Sequence, residues 1–402
     1  MEVFHFTEQA YPDAWKHDLD SLRNTIPSSY CEPEKAREIY RNAQDGWLLC
    51  DELGINIAFN EHHSSATCLS ASPEVTMSIM ARMTNNVQIL PIGFQIANRP
   101  NLVLLAEQIA MADVISGGRI QTGFVKGAPY ELSPANSNPG RYLERFWEGV
   151  DLITKALSTH DGPFNYEGKH YHYRQVNVWP RAWQNPHPPV WIPAQSPGST
   201  IEIARKGYNL AVFLAGRNLK KLMDLYKQET VAAGFPSPGP EKFGYLCLCA
   251  VAEDEAEAHR RAYDIHGYLR TTGIIAEAFV NPPGYQSPEN NAKWLRKGQL
   301  RGRAGTFFPA TKKDGTVINQ AQASIEDLVD ANIFFVGTPD QVYDQICEFN
   351  DHVGGVGNFV MMFDGGELPH ADMIDSIRLF GDKVLPRLKD RYPNASVVQA
   401  AE

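Results

Sequence analysis

The sequence predicts an α/β fold, a TIM (β/α)8 barrel, on three observations. Short apolar runs alternate with amphipathic stretches from end to end, eight β/α units can be traced, and no stretch reads as a domain linker. Eight units favour the barrel over a doubly wound sheet, and the expectation is a single domain over residues 1–402.

The elements follow in order. VFHF (residues 3–6) is the first strand, and a helix over residues 33–53 opens on Pro33, whose missing N–H costs nothing in a first turn. INIAF (55–59) is the second strand, and the next helix starts at about Ser72, with Ser72 as N-cap and Pro73 after it. VQILPIGF (87–94) is the third strand. The following helix opens with Pro100, carries Leu102, Leu105, Ile109 and Ala112 at helical spacing, and stops at Gly117 and Gly118.

RIQTGF (119–124) is the fourth strand, and Leu143, Phe146, Val150, Ile153 and Leu157 then mark one face of a helix. PPVWIPA (188–194) and NLAVFLA (209–215) are the fifth and sixth strands, of the continuous apolar kind buried on both faces, with a helix over 199–206 between them. FGYLCLCAVA (243–252) and GNFVMMF (357–363) are the seventh and eighth, and a closing helix runs over about 371–388.

Two stretches interrupt the repeat. Residues 8–32 lengthen the first β-to-α connection, and an insertion at about 269–332 separates strands seven and eight. It contains NPPGYQSPENN and the cations Arg296, Lys297, Arg301 and Arg303. Connections of this length are usually functional or disordered, and βα connections lie on the active-site face of a barrel, so the insertion reads as a lid. A solvated excursion is the alternative.

Composition narrows the function. With 43% apolar and 21% charged residues the 402-residue chain can bury a large core. A net charge of -10 argues against general binding to nucleic acid or to an anionic membrane surface. The N-terminus has no basic-then-apolar leader and no run approaches the length of a membrane span, so a cytoplasmic protein is expected. The six cysteines lack CxxC spacing and the density of a disulfide framework, which fits reduced, mostly structural thiols.

Three motifs carry candidate chemistry. Glu61, His62 and His63 follow strand two, at the strand end where barrel enzymes keep catalytic groups. Adjacent residues on extended chain point to opposite sides, so one histidine faces the mouth and its neighbour packs or hydrogen-bonds. AQSPGST (194–200) leads from strand five into a helix. Its Ser196, Ser199 and Thr200 hydroxyls, Gly198 and the free first-turn N–H groups suit an anion such as phosphate, and an ordinary helix cap is the alternative. Lys126 and Arg141 are cations that the same face can bring to that anion. HYHY (170–173) places His170 and His172 on one face of a strand, but no further ligands accompany them, and no metal site is expected. GGVG (354–357) precedes a strand, so it is not a dinucleotide fingerprint.

EHH after strand two, NRPNLVLLAEQIAMADVISGGR, GFVKGAPYE, HPPVWIPAQSPGSTIEIARKG, VGTPDQVYDQI and FGDKVLPRLK occur together and in this order. In this combination the chain resembles the bacterial luciferase-like family of flavin-dependent monooxygenases, over most of its length outside the two long connections. The resemblance implies a barrel that binds reduced FMN (FMNH2), forms a flavin (hydro)peroxide with O2 and inserts one oxygen atom into an organic substrate. It implies that His62 is the catalytic histidine, and that Lys126, Arg141, Ala194, Gln195, Ser196, Ser199 and Thr200 bind the cofactor. Lys126 stands where the luciferase pattern has Arg, and Gln195 where it has Glu.

With no dinucleotide fingerprint, the reduced flavin is expected from a separate flavin reductase, and the family implies a homodimer. Apolar and aromatic residues near the strand ends point to a small hydrophobic substrate. A deazaflavin-dependent oxidoreductase and a non-catalytic flavin-binding partner subunit are the rival readings, with a metal hydrolase behind them.

Overall fold

The computed structural model describes residues 1–17, 19–296 and 309–393. Eight parallel strands close into a barrel: β1 (Glu2–Thr7), β2 (Asn56–Phe59), β3 (Ile89–Gln95), β4 (Thr122–Val125), β5 (Val190–Pro193), β6 (Asn209–Phe213), β7 (Phe243–Val251) and β8 (Asn358–Met362). They follow chain order around the wall, and β8 pairs back with β1. Helices α1 (Pro33–Leu53), α2 (Pro73–Met83), α3 (Leu102–Ser116), α4 (Tyr142–Ser158), α5 (Pro197–Arg205), α6 (Leu219–Ala232) and α7 (Glu255–Ile265) lie outside it, with a further helix over Pro339–Val353.

Strand alternation divides the core in two. Phe4, Phe6, Ala58, Leu248, Val360 and Met362 belong to the cluster that fills the barrel, whereas Val3, Ile57, Phe59 and Phe359 pack outward against the helices. The register between β1 and β8 runs from Glu2 opposite Asn358 to His5 opposite Met361, and that between β1 and β2 from Phe4 opposite Asn56 to Thr7 opposite Phe59. At Gly93 of β3 the wall is at its tightest. A Cβ there would overlap the carbonyl of Gly123 on β4, where the register between the two strands also shifts.

The helices differ from expectation in detail, and α5 starts at Pro197 rather than residue 199. Helix α3 starts at Leu102 rather than Pro100, because the Asn101 side chain caps it by accepting from the Leu104 N–H at 3.1 Å. In α4 the expected core residue Leu143 is 49% exposed, and Tyr142 and Gly149 turn inward instead. Helix α1 runs over the expected residues and ends where Gly54 takes the left-handed conformation, φ 72°. The closing helix is interrupted by a π turn over Phe380–Val384.

The long connection after β7 carries short helices over Gly267–Thr271, Glu277–Val280 and Pro288–Arg296, then a hairpin of Pro309–Thr311 with Val317–Asn319 and a helix over Ile325–Asp330. It returns through a strand, Phe334–Gly337, that pairs with Leu248–Val251 at the far end of β7. Lys297, Arg301 and Arg303 lie outside the described residues.

HYHY also differs from expectation. His170 sits in the turn of the Phe164–Glu167/His172–Val176 hairpin rather than on a strand, and the two histidines face different carboxylates, Glu144 and Glu167. Among the described residues no group of three or more His, Cys, Asp or Glu side chains is placed to hold a metal ion, and no helix is long and apolar enough to cross a membrane. The six cysteines are unpaired, and all but Cys31 are buried.

Candidate active site

His62 stands just past the end of β2, with its ring held from both sides. Its Nδ1 lies 3.0 Å from Glu131 Oε1 and 2.8 Å from the Tyr130 hydroxyl, both in the connection after β4. Its Nε2 faces Glu8 Oε1, past the end of β1, at 3.8 Å.

Glu131 is fully buried and also accepts from the backbone N–H of His63 at 2.9 Å and of Ala128 at 2.8 Å. Burial alone would favour its neutral form. The His62 imidazole and these N–H donors prevail and hold its carboxyl down at about 2. An ionised carboxylate only accepts, so His62 presents an N–H at Nδ1 to it and turns Nε2 toward the mouth. That is the arrangement of an oriented general base.

His63 points elsewhere, as alternation on an extended segment requires. Its Nε2 lies 2.8 Å from Glu61 Oε1, and that hydrogen bond raises its pKa although burial opposes it. Glu61 in turn binds Arg99 at 2.6 Å and the Gln95 N–H at 2.9 Å, which ties the end of β2 to β3.

Behind His62 lies a buried guanidinium. Arg23 is 2% exposed and donates to the Tyr130 hydroxyl, to the Thr272 carbonyl at 3.1 Å and to Thr272 Oγ1 at 2.7 Å. One side chain from the first connection thus joins the connection after β4 to the segment after β7. The Leu22 N–H donates to the Ile274 carbonyl at 3.0 Å, and the Tyr285 and Tyr142 rings lie 5.3 Å apart. The described segment 267–285 therefore covers the same end of the barrel as His62.

The second part of the site sits at β4 and β5. Their register, Thr122 opposite Val190 and Gly123 opposite Trp191, carried past the strand ends brings Lys126 level with Ala194. The side chains of Lys126 and of the exposed Arg141 make no hydrogen bond or ion pair with the other described residues. Burial lowers the Lys126 pKa. Helix α5 starts after Ser196, whose Oγ accepts from the Ser199 N–H at 3.3 Å and lies 3.0 Å from Ser199 Oγ.

A side chain at Gly198 would meet nothing within 4 Å, so the helix start is open to a ligand. Gln195 is exposed and donates to the Phe213 carbonyl, and Ala194 is buried. Thr200 is fully buried, and its hydroxyl donates to the Ser196 carbonyl at 3.0 Å, so it supports the turn from behind. Two free cations and an open helix N-terminus suit a phosphate group. These donors fit the phosphate of FMN and do not distinguish it from that of a deazaflavin.

Sequence reasoning missed Glu8, Arg23, Tyr130, Glu131, Tyr268 and Asp364. Two of them carried a signal: the inward series Phe4, Phe6 continues to Glu8, and Val360, Met362 continues to Asp364.

The luciferase-like monooxygenase family model matches residues 28–354. An uncharacterised protein of Sinorhizobium fredii is 27% identical over 53% of this chain, which spans 62% of that protein's length. The oxygenase component of the flavin-dependent trigonelline monooxygenase of Acinetobacter baylyi is 24% identical over 307 residues, 74% of this chain and 81% of that protein.

Two solved structures share the fold. The oxygenating constituent of the Pseudomonas putida 3,6-diketocamphane monooxygenase, a Baeyer-Villiger enzyme in complex with FMN, superimposes with a TM-score of 0.69 at 19% identity, over 96% of this chain and 98% of that one. An F420-dependent secondary alcohol dehydrogenase does so with a TM-score of 0.64 at 14% identity, over 96% and 98% of the two chains.

Proposed function

Because this chain belongs to the luciferase-like monooxygenase family, we propose that it is the oxygenase component of a two-component system, working in the cytoplasm as a homodimer and taking FMNH2 from a separate flavin reductase. When bound, the reduced flavin would supply two electrons to O2 through a flavin (hydro)peroxide, so that one oxygen atom enters a small, apolar organic substrate and the other leaves as water.

The observation that carries this reading is the placement of His62 at the barrel end that also holds Lys126 and the open start of α5. Lys126, Arg141, Ser196 and Ser199 would grip the phosphate, with Ala194, Gln195 and Thr200 shaping the turn that presents them. His62, with Nδ1 held by Glu131, would accept or return a proton at Nε2. Residues 269–332 act as the lid in this reading, their described part fastened through Arg23 and Thr272, and exclude water from the reacting centre.

Purified protein mixed with photoreduced FMN and oxygen should show a long-lived absorbance of the oxygenated flavin, and His62→Ala should shorten its lifetime and lower turnover by about 10²–10⁴-fold. A mutant indistinguishable from wild type removes His62 from the mechanism.

The likeness to an F420-dependent dehydrogenase supports a second reading, hydride transfer with a deazaflavin and no oxygen. Binding titrations with reduced FMN and reduced F420 separate the two. Tight binding of F420 alone would overturn the monooxygenase reading.

A further inference from the structure

At the floor of the mouth, two carboxyl groups remain that the proposed chemistry has not used. The β1–β8 register, continued past the strand ends, sets Glu8 opposite Asp364, and both continue inward-facing series, Phe4–Phe6–Glu8 and Val360–Met362–Asp364. Neighbouring inward positions of adjacent strands put their side chains in the same space.

Glu8 is 4% exposed, and its Oε1 takes the Asn60 amide at 3.1 Å, takes the Tyr268 hydroxyl at 3.3 Å and faces His62 Nε2 at 3.8 Å. Its Oε2 is buried with no hydrogen-bond partner among the described residues, and so is Asp364 Oδ1. A buried carboxylate oxygen without a donor is costly, and a second such oxygen on the adjoining strand end adds to that cost. One proton relieves both: a neutral carboxyl can donate, and its ionised neighbour can accept.

We propose that Glu8 and Asp364 hold a single proton between them and serve His62 as its proton store, making them a working pair of the mouth rather than part of the barrel wall. The step balances without any further reactant. The O–H bond on Asp364 breaks as an O–H bond forms on Glu8, and that bond breaks in turn as an N–H bond forms at His62 Nε2, leaving two negative charges on the carboxyl pair against one positive charge on the imidazolium until the proton returns.

The charges around the pair agree with one proton on it. Burial raises Asp364 to about 7, against hydrogen bonds from the Thr7 side chain and its own backbone N–H, and the nearby Glu8 charge adds a smaller push upward. The other titratable groups around Glu8 are His62, Arg23, Cys68, Tyr130 and Tyr268. Arg23 is the permanent cation among them. The proposal rests on the reading of His62 as the acid–base residue, but its first test does not involve the flavin.

Infrared spectra of the apoprotein across the pH range should show the carbonyl stretch of a protonated carboxyl near neutrality, titrating away around pH 7. Asp364→Asn should abolish the band. Glu8→Gln should move its midpoint down by about one pH unit, because it removes the charge that holds the proton. A band that survives Asp364→Asn, or a midpoint unmoved in Glu8→Gln, overturns the proposal, and the Glu8 variant decides alone if Asp364→Asn does not fold.

In the flavin-loaded protein, Glu8→Gln should shift the pH dependence of turnover with little change in KM, and Glu8→Asp should restore part of it. Apoprotein spectra that behave as stated while reduced FMN fails to bind would sink the flavin reading and leave the pair standing.

Discussion

His62 and Glu131 are 69 residues apart in the chain and 3.0 Å apart in the fold. Through this contact a loop after β4 decides which nitrogen of a histidine after β2 carries the hydrogen, so the reactivity of His62 can be changed without touching it.

Glu131→Gln should therefore lower turnover more than it lowers flavin affinity, and should cost about 1–3 kcal/mol of stability by leaving buried N–H groups badly paired. The pH dependence has a definite sign. Glu131 is lowered from 4.5 to about 2 in the fold, so its contribution is present above 4.5 and is lost as pH falls from 4.5 toward 2. Urea unfolding at pH 7 and pH 3 should show this acid-side loss in wild type and a weaker one in the variant.

Asp364 acts with the opposite sign. Its carboxyl is raised from 3.8 to about 7, so the stability it contributes is complete below 3.8 and declines as pH rises through 7. Asp364→Asn should flatten the loss of stability between pH 5 and pH 8, read from Tm in a series of buffers. An unchanged slope would show that Asp364 does not titrate there.

Lys126→Ala and Arg141→Ala should each raise the flavin Kd by about tenfold, some 1.4 kcal/mol, and the difference should shrink in high salt. Burial lowers the Lys126 pKa, so wild-type affinity should begin to fall on the alkaline side before pH 10.5 is reached. Fluorescence titration with FMN checks both, and equal affinity for riboflavin and FMN would remove the phosphate grip altogether.

Arg23→Met should free two distant segments at once. Loss of the hydrogen bonds to Thr272 should cost about 1.5–3 kcal/mol, and amide exchange should quicken both at residues 267–274 and at 128–131. Faster exchange in only one segment would contradict the bridging role.

Gly93→Ala should destabilise the barrel by about 1–3 kcal/mol, because the added methyl meets the backbone of β4 rather than a side chain that can turn away. Differential scanning calorimetry would show the lower Tm.

The barrel was legible because its signal is local. Apolar runs of strand length, Pro33 at a helix start and Gly54 at a helix end each act over a few residues, and they marked the bounds of α1. His62 was legible for the same reason, standing directly after a strand. Its partners were not. Glu8, Tyr130 and Glu131 come from two other strand ends, and only closure of the barrel brings those ends to the end of β2. Glu131 lies inside GFVKGAPYE, yet nothing in that string distinguishes it from a surface acid until the fold buries it. Leu143 erred in the other direction, since helical spacing does not say which end of the stripe runs out into solvent.

The strand Phe334–Gly337 lies against the end of β7 and not within the ring of eight. The excursion after β7 is thus fastened near its start, by Arg23 to Thr272, and at its finish, along β7 itself. Between those two fixings Ala310, Ile325 and Leu328 are buried in the cluster that fills the barrel, so the excursion is packed onto the barrel as well as tethered to it. The chain that leaves the barrel after β7 is therefore part of the same core as the wall it leaves.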